Sequence, residues 1–232
     1  CSGFGGYGQV CKVYKYILSD CHSVKEYEYN LSSGFLSTIV TKSNNGSLQG
    51  LERINYNDKN LISTVVLENS KGKLLTLKNS FYNDSGQIEI EIVSGKINTE
   101  KRYFYEGKLL KSVVFLVNGN INWKDSLKYL SNTNQLLQKV RFVKDTLEQI
   151  TSYEEYYNNV KEEKVTNYSG VMQSRRVTKF DLNDNIKEEI LYSPYGFTLK
   201  RTKYAYNDGL LERVITFDKS GTEYERLEYR RF

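Results

Sequence analysis

One pattern governs what this chain can fold into: an aromatic residue or Leu, one or two Asn, Asp or Glu, often a Gly or another Asn, then a pair of apolar residues, returning about every 25 residues. It reads NYNDKNLIS, FYNDSGQIE, YFYEGKLLK, KYLSNTNQLLQ, YYNNVKEE, FDLNDNIKEE and YAYNDGLLER, led by Tyr56, Tyr82, Tyr105, Leu130, Tyr157, Leu182 and Tyr206. Successive leading residues stand 26, 23, 25, 27, 25 and 24 apart. A looser set, ENSKGKL, VSGKI, VNGNI, YSGVM, SPYGFT and FDKSGTE, falls between them, so each period holds two turns and two segments of strand length. Asp58, Asp84, Gly107, Asp208, Gly209, Asp218 and Gly221 mark the turns. Tight hairpins need positive φ, which Gly takes freely and Asn or Asp tolerate. The repeating unit is a β-hairpin, with Tyr56, Tyr82, Tyr105, Tyr157 and Tyr206 packing across strands beside its turns.

Composition agrees with strands. The chain of 232 residues holds 20 Tyr but one Ala (Ala205) and one Pro (Pro194), and Tyr, Val, Ile, Thr and Phe favour strands where Ala favours helix. Alternation is visible but mixed: in RTKYAYND, Thr202, Tyr204 and Tyr206 fall on one face and Arg201, Lys203 and Ala205 on the other. Charged and apolar residues on both faces suit a sheet wetted on either side better than a sandwich with a dry interior. The predicted fold is therefore all-β, an antiparallel meander of about sixteen strands that coils or partly closes, because open sheets beyond about ten strands rarely stay flat. One stretch competes: Leu136, Val140, Val143, Leu147 and Ile150 have the spacing of an amphipathic helix seam, so residues 135–157 read as helix or strand.

The YND..G and FD..SG turns at 56–60, 82–86, 206–209 and 217–221 resemble those of tyrosine-rich YD and Rhs-type repeats, of MORN repeats and of the repeat antitoxins of bacterial toxin–antitoxin systems. The resemblance covers residues 51–232 and implies a scaffold, shell or interaction surface.

Three cysteines stand at 1, 11 and 21. A chain headed by Cys matches a mature bacterial lipoprotein, with acyl chains on Cys1 and residues 1–9 (CSGFGGYGQ) as a Gly-rich flexible tether. Residues 10–50 form an N-terminal β segment, continuous with the repeat sheet of 51–232. In an oxidising compartment Cys11 and Cys21 are candidates for a disulfide, reduced thiols being the alternative.

Constellations for chemistry are sparse. His22 is the sole histidine and has no second ligand cluster, and doublets such as Glu154–Glu155 and Glu188–Glu189 point to opposite faces of a strand. Neither a catalytic site, a metal site nor a cofactor is expected. The 33 basic and 28 acidic residues are interleaved, which argues for solvated faces and cross-strand pairs rather than a nucleic-acid stripe. Trp123 is an anchor candidate by residue type alone. The reading is a noncatalytic lipoprotein of a Gram-negative envelope, lipid-anchored at the outer membrane on its periplasmic or surface side. Its expected role is accessory subunit of an outer-membrane secretion or transport complex. A glycan- or peptide-binding module and a toxin-neutralising immunity protein are the alternatives.

Overall fold

The computed structural model describes residues 9–18, 20–131, 133–156 and 159–231, apart from the side chains at 155 and 156. It contains β1 (Val10–Ile17), β2 (Asp20–Tyr29), β3 (Leu36–Ser43), β4 (Leu48–Tyr56), β5 (Ile62–Asn69), β6 (Leu74–Tyr82), β7 (Ile88–Ser94), β8 (Thr99–Glu106) and β9 (Leu109–Val117). The second half continues with β10 (Asn120–Tyr129), β11 (Leu136–Val143), β12 (Thr146–Tyr156), β13 (Val160–Asn167), β14 (Met172–Phe180), β15 (Ile186–Tyr192), β16 (Thr198–Asn207), β17 (Leu210–Phe217) and β18 (Glu223–Arg231). Each strand pairs antiparallel with the next. β18 then returns to pair with β1, Val13 opposite Tyr229 and Lys15 opposite Leu227, which closes the meander into an 18-stranded up-and-down barrel.

Two expectations are corrected here, and one open reading is resolved. Eighteen strands replace sixteen because residues 10–50 carry the same hairpin rhythm as the rest. The coiled or partly closed sheet is fully closed. The helix-or-strand reading of residues 135–157 resolves as strand at Leu136–Val143 and Thr146–Tyr156: β11 and β12 meet at a two-residue turn in which Lys144 and Asp145 take φ values of 48° and 61°. The helix-like spacing arises because two short strands flank that turn and set Val140 directly opposite Ile150.

The barrel is hollow. Eighteen strands about 4.8 Å apart, tilted as barrel strands are, enclose a ring roughly 35 Å across between backbones. Among the described strands, main chains come close only between ring neighbours, so no strand crosses the interior. The accessible surface is 14820 Å², against the roughly 10,800 Å² of a solid monomer of this mass. Among the described residues, the buried apolar ones are Cys11, Val13, Ile54, Leu116 and Ile190.

Register separates an inner from an outer face. Val13, Ile54, Ser80, Asp125, Thr151, Thr202 and Thr216 are buried on one face. There side chains meet over an intervening strand, as Lys25 of β2 does with Glu52 of β4 at 3.3 Å. That convergence marks the concave, lumenal face. Arg53, Arg102, Phe104, Lys203 and Arg213 lie on the other face and are exposed.

The termini of the sheet and the turns after even-numbered strands lie at one end, the near end; the turns after odd-numbered strands form the far end. At the near end Tyr29, Tyr56, Tyr82, Tyr105, Tyr129, Phe180 and Tyr206 sit on the lumenal face beside a register shift. Such bulges tighten the twist that closure requires. Five of these tyrosines donate to the carbonyl at the start of their own hairpin: Tyr29 to Val10 (2.8 Å), Tyr56 to Leu36 (2.9 Å), Tyr82 to Ile62 (2.8 Å), Tyr129 to Leu110 (2.7 Å) and Tyr206 to Ile186 (3.0 Å). Arg231 makes the equivalent bond to Leu211 in the last hairpin. The repeat is thus a hairpin latched at its open end.

Because each latch belongs to a different hairpin, Tyr56→Phe and Tyr206→Phe should each lower unfolding free energy by about 1 kcal/mol and add in the double variant. Urea denaturation reads this, and an unchanged midpoint in both variants contradicts the latch.

Candidate functional site

The lumenal wall is the candidate site, since it is the concave surface and holds the aromatic residues that the repeat places inward. Tyr27, Tyr103, Tyr153, Tyr204 and Tyr229 lie there above the near-end tyrosine ring, interleaved with paired charges.

One closely paired patch spans β9 to β11. Arg141 grips Asp125 through two 2.8 Å bonds, and Asp125 is 5% exposed. The guanidinium lies 4.2 Å over the ring of Trp123, whose other neighbour is Phe115, stacked at 5.1 Å between centroids. Phe115 and Trp123 are register partners, which is why they stack. Trp123, an anchor candidate by residue type, is held between cation and ring, so this patch stiffens the wall rather than offering a free stacking face.

Farther round, Tyr153, Lys161, Glu163, Thr178, Phe180 and Glu189 line a groove of about 360 Å³. The Lys161 ammonium stands 5.1 Å from the centre of the Phe180 ring. Burial first, then the nearby Glu163 carboxylate, pushes the Tyr153 hydroxyl up to about 12. Tyr204 is raised by burial and by its bond to Glu189, and Tyr103 by burial and its bond to Glu91. These hydroxyls stay protonated and act as hydrogen-bond donors, so the wall offers rings, donors and paired charges to a polar ligand.

Carboxylates on both faces are held by more than one donor. On the outer face Glu26 takes Lys12 at 2.8 Å and Lys42 at 2.6 Å, and these bonds, Lys12 first, hold its carboxyl below its ordinary value. Burial works to raise Glu188, but Lys179 and Arg201 together outweigh it and leave the carboxyl lowered. Glu91 on the lumenal face behaves likewise, with Lys78 and Tyr103 outweighing burial.

The sequence-predicted residues fare unevenly. Asp218 builds its turn, its carboxylate accepting from the amides of Ser220 (2.9 Å) and Thr222 (3.0 Å). Asp208 and Gly209 form a two-residue turn with φ of 50° and 75°, and Gly107 and Gly221 also have positive φ. At 58 and 84 the turn is built one residue earlier: Asn57 accepts from Lys59 and Leu61, and Asn83 from Gln87, while Asp58 and Asp84 are exposed. Tyr56, Tyr82, Tyr105 and Tyr206 belong to the lumenal ring, but Leu130 and Leu182 lie in turns, Leu182 97% exposed, and Tyr129 and Phe180 hold their ring places. The repeat pattern does not single out Tyr29, Tyr129 and Phe180, although a Tyr or Phe near the end of most even-numbered strands is a signal for them.

The predicted Cys11–Cys21 bridge is absent: Cys21 is free and Cys11 is disulfide-bonded. Cys11 starts β1 at the near end and Cys21 starts β2 at the far end, opposite Tyr16. That separation, about five residues of strand, far exceeds the roughly 7 Å limit on Cα distance for a bridge. Cys1 and Tyr157 lie outside the described residues.

No family model and no curated protein sequence matches the chain. Among solved structures, a porin-like protein from Bacteroides uniformis is similar over 97% of each chain, with a TM-score of 0.53 and 12% identity. A porin-like protein from Bacteroides vulgatus covers 96% of this chain and 98% of its own at a TM-score of 0.46 and 10% identity. The TcdB2-TccC3-Cdc42 complex matches 87% of this chain over 14% of its own, with a TM-score of 0.40 and 10% identity. The first of these likenesses shows a shared fold.

The lowered carboxyls set an acid limit. Groups whose folded pKa lies below the ordinary 4.5 contribute fully above that pH, and the contribution is lost as pH falls through the folded values. Glu188→Gln should therefore lower stability at pH 7 and flatten its decline below pH about 4.5. Thermal melts between neutral and acid pH check this, and an unchanged acid decline contradicts it.

Proposed function

We propose that this protein is a noncatalytic barrel of the bacterial envelope that works by presenting surface, as an accessory subunit of an outer-membrane secretion or transport complex. One observation carries the reading: the barrel has a closed wall, like the porin-like Bacteroides protein, but a wall too polar to stand in hydrocarbon. A membrane-spanning barrel needs an outward apolar band about 25 Å tall. Here the outer face carries Glu26, Arg53, Arg102, Lys164, Glu188 and Arg201 through its middle. At about 2 to 4 kcal/mol for a basic residue at the bilayer midplane, several such residues oppose insertion. This favours a barrel beside a membrane over one through it.

Noncatalytic action is supported by the lumenal tyrosines, which are tuned away from neutrality, whereas an acid–base catalyst is tuned toward it. A second reading, a glycan- or peptide-binding module, is favoured by the groove beside Tyr153 and Phe180. Its volume is at the lower end of the range for ligand sites, about 300 to 1,000 Å³.

Fractionation of native cells separates these readings. The accessory role predicts that the chain stays with the envelope, is released by alkaline carbonate without detergent, co-purifies with an outer-membrane barrel protein after mild crosslinking, and gives no conductance steps in planar bilayers. Stepwise conductance, or a free protein that binds glycans with no partner, overturns it.

A further inference from the structure

The two ends of the barrel are chemically unlike. The nine far-end connections carry five lysines, Lys71, Lys73, Lys96, Lys144 and Lys219, against two aspartates, Asp145 and Asp218. All five lysines are exposed, while Asp218 is turned inward to build its own turn. The near-end connections reverse the balance among the described residues, with Asp58, Asp84, Asp181, Asp184 and Asp208 against Lys59 and Lys108.

Apolar exposure follows the same division. Tyr195 (86%), Phe197 (71%), Tyr168 (71%), Leu18 (66%), Ile121 (62%) and Val171 (57%) all stand at the far end. With Ile97 and Leu74 they make eight large apolar side chains at least half exposed there among the described residues, against Leu31 and Leu182 at the near end. Scattered apolar side chains need no explanation, but a ring of them on one rim, rimmed by lysine, marks an interaction surface. β1 begins and β18 ends at the near end, so the far rim is built of hairpin turns alone.

We propose that the far rim seats the barrel on the surface of a bilayer containing anionic phospholipid. Hairpin tips spread around a hollow ring about 35 Å across present apolar and aromatic groups with no centre between them, a shape that fits a plane better than a compact partner. Tyrosine and phenylalanine settle at the headgroup boundary, and lysine is attracted by acidic headgroups. The acidic near end then faces away from the anionic surface, as repulsion requires. A second copy stacked head to tail would satisfy the charges, basic rim on acidic rim, but would set the most exposed far-rim apolar residues against near-end turns that carry Asp58, Asp84, Asp181, Asp184 and Asp208. The orientation goes beyond the accessory role, and the two are tested apart: binding to lipid by the purified chain reads no partner complex.

Flotation of the purified chain with vesicles of phosphatidylcholine, with and without phosphatidylglycerol, tests it. Binding should require phosphatidylglycerol and weaken with salt. Each lysine near an anionic surface contributes about fivefold in partition, so Lys71→Glu with Lys73→Glu should cut binding about tenfold or more. Tyr195→Ser with Phe197→Ser should also weaken it, while Leu182→Ser at the near end should not. All five positions are exposed in turns or at a turn edge, and unchanged circular-dichroism melts establish that the variants fold. Absence of flotation with phosphatidylglycerol, equal loss from Leu182→Ser, or growth into long end-to-end polymers overturns the proposal, the last by making another copy the rim's partner.

Discussion

Main-chain pairing between β1 and β18 is the constraint on which the rest depends. An open sheet of this kind would end in two edges of unpaired amides and carbonyls, and exposed edges recruit other chains. Seven register pairs, from Val10 with Arg231 to Ile17 with Glu225, remove both edges at once. Once the ring is closed, its size follows from strand number, and eighteen strands are too many for side chains to fill the middle. Hollowness is thus a consequence of closure rather than a separate feature.

A hollow wall has little dry core, and the sequence is suited to that. Stability rests on contacts between neighbouring strands, each cross-strand pair contributing about 0.2 to 1 kcal/mol, so it is spread widely around the ring. Doubly held carboxylates such as Glu26 and Glu188, the Arg141–Asp125 pair and the hydroxyl latches do locally what apolar layers do in a filled barrel. The same composition that spares the interior from packing leaves charged residues such as Glu26, Arg53 and Arg102 along the outer wall. Wall polarity, hollow lumen and the absence of a large apolar core are therefore one fact seen from three sides.

The hairpin rhythm was legible because turns and aromatic residues recur locally, and the all-β antiparallel meander follows from that rhythm. Turn length obscured the rest. Six-residue connections, such as the one between β10 and β11, moved the apparent lead from Tyr129 to Leu130, and Asp181 drew attention from Phe180 to Leu182. Asn57 and Asn83 were overlooked for the aspartates that follow them, since the composition of a turn does not say which side chain caps it. Closure had no local signal at all: the two seam strands lie at opposite ends of the sequence, and only the summed twist of the intervening strands brings them together. The asymmetry of the two rims was equally hidden, because it requires knowing which turns share an end.

Small-angle X-ray scattering of the monomer in solution tests the closed, water-filled ring most directly. A hollow cylinder of these strands should give a radius of gyration of about 20 Å, with a pair-distance distribution weighted toward the barrel diameter. A value near 17 Å, that of a compact chain of this length, would contradict it.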